Sequence, residues 1–142
     1  MNIPVLVLLG FAAWTLIILS VGVGGYRWAL ILSGRASVAG WQADAPQQGA
    51  DWYQRVTRAH MNCVENLPVY GAIVVALTVI GLQSHLIDGL SEAMLTARIG
   101  QTLVHVALRQ TNAVVSVRFT LFSIQLVCMF VMGAGAAATM IH

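Results

Sequence analysis

The sequence predicts an all-α integral membrane protein, a bundle of four helices with both termini on the non-cytoplasmic side. Hydrophobic residues make up 58% of the 142 residues and charged residues only 8%, and the mean hydropathy is +0.81. A soluble domain carries about 25% charged residues, so most of this surface suits lipid rather than water. Two uncharged runs, residues 1–26 and 119–141, are each long enough to cross a bilayer. We therefore expect one transmembrane domain over residues 1–142.

The first helix is predicted over residues 3–25. A polar loop follows, and its turn-forming residues are Gly34, Gly40, Pro46 and Gly49. The second helix is predicted over residues 52–82. Its uncharged part, residues 67–82, is too short to span a bilayer by itself. The helix must therefore extend back through Glu65 toward Arg55, which brings polar side chains to membrane depth.

The third and fourth helices are predicted over residues 86–108 and 114–141. The third is the least hydrophobic of the four and contains Arg98, whereas the fourth has a long uncharged run over residues 119–141. Residues 133–138 of the fourth helix are all glycine or alanine, a composition that lets transmembrane helices pack closely.

The arginines predict the orientation in the membrane. The first loop region contains Arg27, Arg35, Arg55 and Arg58, and the third contains Arg109 and Arg118. Arginine and lysine accumulate on the cytoplasmic side of membrane proteins. We therefore expect the first and third loops to face the cytoplasm and both termini to face away from it.

Two helices carry a polar face when their residues are placed at 100° intervals. The face of the second helix covers about 80° and contains Arg55, Arg58, Asn62 and Glu65. The face of the third covers about 100° and contains Arg98, Gln101, Thr102, His105 and Arg109. Because exposing ions to lipid costs several kcal/mol, we expect these faces to meet each other or a wet pocket. The alternative is a Glu65–Arg98 pair that only holds two helices together.

The charged groups of this pocket indicate its ligand. The chain has seven arginines and no lysine, and arginine binds carboxylates and phosphates through paired hydrogen bonds. A single acid among them, Glu65, is suited to an ammonium group. An amino-acid-like or peptide-like ligand has these groups, and the bilayer would supply a second, apolar substrate. The charges are too few and too scattered to indicate nucleic acid as a partner, and we expect no metal site.

Residues 55–68 contain the pattern R-x-x-R-A-x-x-N-x-x-E, and this segment resembles the signature of the MAPEG family, in its prokaryotic branch. These are membrane-associated proteins of eicosanoid and glutathione metabolism, and they include microsomal glutathione transferases. The resemblance implies a homotrimer in the membrane, here a bacterial inner membrane. It also implies a glutathione site between subunits that opens to the cytoplasm, and a hydrophobic small molecule as second substrate.

The resemblance also implies roles for individual residues. The positions that match glutathione-binding residues of the family are Arg35, Arg58, His60, Asn62, Glu65, Arg98, Gln101 and His105. Arg27 is an alternative to Arg35 for the basic residue near the first helix.

The chain departs from the family pattern where the thiol would be activated. The family arginine that stabilises the glutathione thiolate aligns with Val115, and two tyrosines are replaced by His105 and Phe119. A thiol with a pKa of about 8.5 needs a nearby cation or donor to ionise at neutral pH, so Ser116, His105 and Arg118 are the candidate catalytic residues. Each has a structural alternative: a helix cap or backbone hydrogen bond for the serine, an interhelical hydrogen bond for the histidine, and an interfacial position for the arginine.

Three functions are compatible with these patterns. The first is a glutathione transferase or peroxidase of the microsomal type. The second is a membrane protein that binds glutathione or lipid with little or no turnover. The third is a small transporter centred on Glu65, which the surrounding arginines disfavour because they would keep the carboxylate ionised. A haem held by His60 and His105 is a further alternative for a four-helix bundle, and Cys63 and Cys128 are interpreted as packing residues.

Overall fold

The fold is a bundle of four long helices, seen in a computed structural model that describes residues 2–40 and 49–141. The part of the predicted loop around Pro46 lies outside the described residues. The helices are α1 (Ile3–Leu32), α2 (Asp51–Val79), α3 (His85–Ala107) and α4 (Asn112–Ile141). One 3-10 turn, Val38–Gly40, follows α1. The described residues contain no strand, which confirms the predicted all-α class.

Three of the four helices, α1, α2 and α4, are long and apolar enough to cross a membrane. The exception is α3, which the sequence had already indicated as the least hydrophobic. It is the helix with the most buried polar residues, and these lower its hydropathy without meeting lipid.

The first helix continues to Leu32, past its predicted end, through a π-helical segment at Ile18–Gly24. It ends in a motif built on Gly34, whose φ of 71° is readily adopted only by glycine. The Gly34 amide donates to the Ile31 carbonyl at 3.0 Å, and the Arg35 amide donates to the Leu30 carbonyl at 2.9 Å. Two carbonyls at the helix end are thereby satisfied.

The second helix ends at Val79, before its predicted end at residue 82, for the same reason. Gly81 has a φ of 69°, and its amide donates to the Thr78 carbonyl at 3.2 Å. The Leu82 amide donates to the Leu77 carbonyl at 3.1 Å. Apolar residues continue on both sides of this glycine, but the helix ends before it.

The core lies where α1 and α2 pack together and against α3 and α4. Phe11 of α1 and Tyr70 of α2 are fully buried, and their rings lie 6.4 Å apart in a tilted arrangement. Closer to the loop, Gly22 of α1 lies against Val56 of α2, and a Cβ atom on this glycine would overlap the valine side chain. Gly22 therefore sets how closely the two helices approach.

An aromatic cluster lies at the end of the bundle where α2 begins. The rings of Tyr26 and Tyr53 stack at 4.4 Å, and Trp52 meets Tyr26 edge-on at 5.1 Å. Arg27 Nε donates to the Tyr53 hydroxyl at 2.7 Å. Tyrosine and tryptophan concentrate at the headgroup level of membranes, so this cluster marks the depth of one membrane surface.

Candidate functional site

The polar face of α2 lies on the outside of the subunit. Glu65 is the middle residue of this helix; Arg58 and Glu65 are exposed, and Asn62 is half-buried. Glu65 forms no hydrogen bond or ion pair with another described residue. A carboxylate exposed halfway along a helix that is apolar enough to cross a membrane is costly in lipid unless it is paired with a polar group or lies in a water-filled cavity.

The buried counterpart of this face is Arg98 on α3, whose side chain is only 1% exposed. Its Nη1 donates to Gln101 Oε1 at 3.0 Å, and its guanidinium carbon lies 5.5 Å from the ring centroid of Phe11. Its Nε and Nη2 have no partner in the described part of the chain. These two nitrogens form one edge of the guanidinium, the edge that pairs with both oxygens of a carboxylate.

Glu65 and Arg98 do not form an ion pair within the subunit. Glu65 is near enough to act electrostatically on Arg98, but their charged atoms are not within the 4.0 Å of a salt bridge. The two polar faces are therefore neighbours, and the buried Nε–Nη2 edge of Arg98 stays free of a hydrogen-bond partner among the described residues.

Gln101 connects two side chains and one backbone carbonyl of the buried network. Its Oε1 accepts from Arg98 and from Gln125 Nε2, the latter at 3.2 Å, and its Nε2 donates to the Arg118 carbonyl at 3.2 Å. Gln125 also donates to the Leu121 carbonyl at 2.9 Å. The amide of Gln101 is thus used mainly to hold Arg98 and to join α3 to α4.

Gln125 is the residue that the sequence did not single out. It is fully buried on α4, in the long run without charged residues. One signal was present: it follows Arg118 by two helical turns, which places both residues on the same face of α4.

The two candidate histidines lie in partly or fully buried positions. His105 is 4% exposed and belongs to the last turn of α3, and His60 is half-buried on α2. In each, Nδ1 is buried and lacks a partner among residues 2–40 and 49–141. The same part of the chain contains no cluster of three His, Cys, Asp or Glu side chains placed to hold a metal ion.

The candidates at the start of α4 point in different directions. Ser116 is exposed, and its hydroxyl donates to the Asn112 carbonyl of its own helix at 3.0 Å. Arg118 is half-buried, and its Nε has no partner in the described residues. Val115 and Phe119 are exposed, at 41% and 69%. Only Arg118 of this group is joined to the Arg98 network.

Arg35 lies beyond the end of α1, exposed, and its side chain has no hydrogen bond to the other candidate residues. The structure therefore brings together Arg98, Gln101 and Arg118 within one subunit. It places Arg58, Asn62 and Glu65 on an adjacent outer face, and it leaves Arg35 and Ser116 outside both groups.

These features define a membrane-embedded helical protein with a polar face on a helix apolar enough to cross the membrane. The model of the MAPEG family matches residues 5–138, nearly the whole chain, and the protein belongs to this family. Membership supports, in general terms, a membrane function of the glutathione-related transferase, peroxidase or eicosanoid type. Among curated proteins, no sequence gives a significant match.

Proposed function

We propose that the protein binds glutathione and uses its thiol either to conjugate a hydrophobic electrophile or to reduce a lipid hydroperoxide. The observation that carries the proposal is the exposed polar face of Arg58, Asn62 and Glu65 in the middle of a helix apolar enough to span the membrane. In the proposal the site opens to the cytoplasm, and the protein resides in a bacterial inner membrane.

The polar face supports assembly as a homotrimer. Ions exposed to lipid cost several kcal/mol, and nothing in the described part of the subunit covers Arg58 or Glu65. A neighbouring copy of the chain would exclude lipid from this face, and glutathione would neutralise its charges. Binding and assembly are therefore linked in the proposal.

Each polar group of glutathione has a matching residue. Arg58 and the free edge of Arg98 are suited to its two carboxylates, and Glu65 to its ammonium. Asn62 offers an amide to the peptide groups, and Gln101 keeps Arg98 in place.

Two histidines and one exposed arginine complete the proposed binding set. His60, half-buried on α2, and His105, buried on α3, each have a buried Nδ1 able to bond a polar ligand atom. Arg35 is proposed to close the site from the loop after α1.

Arg118 is the best placed group to stabilise the glutathione thiolate. Its side chain carries a fixed positive charge, its buried Nε has no partner among the described residues, and its backbone carbonyl accepts from Gln101 of α3. His105 is the second candidate, as donor or cation. Ser116 can donate to the thiolate only when its hydroxyl no longer donates to the Asn112 carbonyl.

The thiolate of bound glutathione takes part in one of two proposed reactions. In conjugation, the thiolate sulfur forms a bond to an electrophilic carbon, and either a leaving group departs with the bonding electrons or a proton adds to the product. In peroxide reduction, two glutathione molecules are oxidised to the disulfide while the hydroperoxide is reduced to an alcohol and water. The exposed apolar residues Val115 and Phe119 would contact the lipophilic substrate.

The second candidate is a protein that binds glutathione without turnover. The specific observation in its favour is that the Ser116 hydroxyl is hydrogen-bonded to its own helix; the resemblance to the family also implies that Val115 replaces the arginine that stabilises the thiolate. This candidate keeps every binding contact and loses only the thiol activation.

Turnover of a generic electrophile by purified protein in lipid nanodiscs separates the two candidates. We expect glutathione-dependent turnover in the wild type and a loss of at least tenfold in Arg58→Ala and Glu65→Ala, since each removes a charged contact with glutathione worth about 1.5–3 kcal/mol. Glu92→Ala is the matched control, because Glu92 is an exposed acid on α3 outside the site. Binding without turnover supports the second candidate, and absence of both contradicts the proposal.

A further inference from the structure

An open pocket of about 330 Å³ lies where α2 begins and the link between α3 and α4 passes. Its lining is entirely polar and consists of Asp51, Gln54, Arg55, Arg58, Arg109 and Gln110. Three guanidinium groups face one carboxylate, which gives the pocket a formal charge of +2 from these residues. Only Arg58 belongs to the proposed glutathione site.

Two of the arginines are anchored so that part of each guanidinium stays available. Arg55 Nε donates to the Val106 carbonyl at 3.2 Å, and Arg58 Nε donates to the Gln54 carbonyl at 3.4 Å. Arg109 is exposed in the link and makes no side-chain hydrogen bond to another described residue. The guanidinium groups of Arg55 and Arg58 are held by these hydrogen bonds, so they lose less conformational entropy when they pair with the oxygens of a phosphate.

The pocket lies nearer the start of α2 than Glu65 does. Arg55 precedes Glu65 by ten residues, which is about 15 Å along the helix axis. Two of the three arginines of the pocket, Arg55 and Arg109, are outside the proposed glutathione-binding set.

The depth of the pocket indicates which anion occupies it. Trp52 and Tyr53 directly follow Asp51 of the pocket, and with Tyr26 they form the aromatic cluster that marks a membrane surface. The arginine distribution assigns this end to the cytoplasmic leaflet, where anionic lipids attract clustered basic residues. Phospholipid phosphates lie at this depth.

We propose that this pocket binds the phosphate of an anionic phospholipid, held mainly by Arg55 and Arg109, with Arg58 at the border to the glutathione site. The proposal does not depend on glutathione binding, since two of its three arginines are outside that site. A lipid bound here would tie the start of α2 to the link between α3 and α4.

Native mass spectrometry of the purified protein in detergent tests the proposal. The protein is titrated with phosphatidic acid, with phosphatidylcholine of the same acyl chains, and with inorganic phosphate. We expect saturable adducts of phosphatidic acid, much weaker adducts of phosphatidylcholine, and about fivefold weaker binding of phosphatidic acid in Arg109→Gln. Glu92→Gln changes one exposed charge on α3 outside the pocket and should bind as the wild type does.

Three results overturn the proposal: equal binding of the two lipids, equal binding of phosphatidic acid by Arg109→Gln and Glu92→Gln, or displacement of the lipid by glutathione. Binding of inorganic phosphate as tight as that of phosphatidic acid assigns the site to a free anion and also overturns it. If Arg109→Gln does not yield folded protein, Gln110→Asp tests the same charge by adding an acid to the lining, and unchanged binding there contradicts the proposal.

Discussion

Replacing Gln101 by leucine removes the centre of the buried network. Its side-chain amide accepts from Arg98 at 3.0 Å and from Gln125 at 3.2 Å, and it donates to the Arg118 carbonyl at 3.2 Å. Without it, no nitrogen of the Arg98 guanidinium has a hydrogen-bond partner among the described residues. We expect Gln101→Leu to destabilise the fold strongly.

The hydrogen bonds give the size of this effect. The bond to a charged donor contributes about 1.5–3 kcal/mol and each neutral bond about 0.5–1.5 kcal/mol. Hydrogen bonds between transmembrane helices have smaller measured energies than these, about 0.6 kcal/mol on average. We therefore expect a loss of about 3 kcal/mol in the free energy of unfolding, near the lower end of the summed range. Gln125→Leu loses one bond between α3 and α4 and also removes a buried Oε1 that has no partner, so its cost should stay below about 1 kcal/mol.

Reversible unfolding in mixed micelles, followed by far-UV circular dichroism, compares the two variants. Gln125→Leu is the matched control, because it makes the same chemical change in the same network. Equal losses of stability in the two variants, or a cost for Gln101→Leu below about 1 kcal/mol, would refute the reasoning that Gln101 holds the Arg98 cation in place.

Gly22→Ala should lower the stability by about 1–3 kcal/mol, seen as a lower Tm, because the new methyl group overlaps Val56; an unchanged Tm would show that the helices can separate without cost. Val115→Arg should lower the pKa of the bound glutathione thiol, because a nearby cation favours the thiolate. The rate should then rise at lower pH than in the wild type, and an unchanged pH profile would contradict a thiol site beside this residue. Arg118→Gln should reduce the thiolate absorbance of bound glutathione while binding persists, and an unchanged absorbance would exclude Arg118 from thiol activation.

The helical class could be predicted from the sequence because it depends on long uncharged runs, and these need no knowledge of the tertiary contacts. The ends of α1 and α2 were misplaced because charge and hydropathy decided them. The helices end at Leu32 and Val79, just before Gly34 and Gly81, where the backbone enters a conformation favoured by glycine. Gly34 was predicted to form a turn in the loop but not to mark the end of α1, and Gly81 lies inside an apolar run that does not by itself show where a helix stops.

Helix periodicity predicted which residues share each of the two polar faces, since residues three and four apart lie on the same face of a helix. The partners of those residues did not follow from it. The bonds of Gln101 to Gln125 and to the Arg118 carbonyl depend on how α3 meets α4. Likewise, Asp51 and Gln110 line the same pocket only because the start of α2 meets the link between α3 and α4, which is far from it in the sequence.

Equilibrium binding of glutathione to the purified protein in nanodiscs tests the central claim most directly. Isothermal titration should show saturable binding by the wild type, at least tenfold weaker binding by Glu65→Gln, and wild-type binding by Glu92→Gln. The loss in Glu65→Gln follows because the amide cannot neutralise the ammonium group of the ligand. Absence of saturable binding by folded wild-type protein, or unchanged binding by Glu65→Gln, would contradict a glutathione site on the polar face of α2.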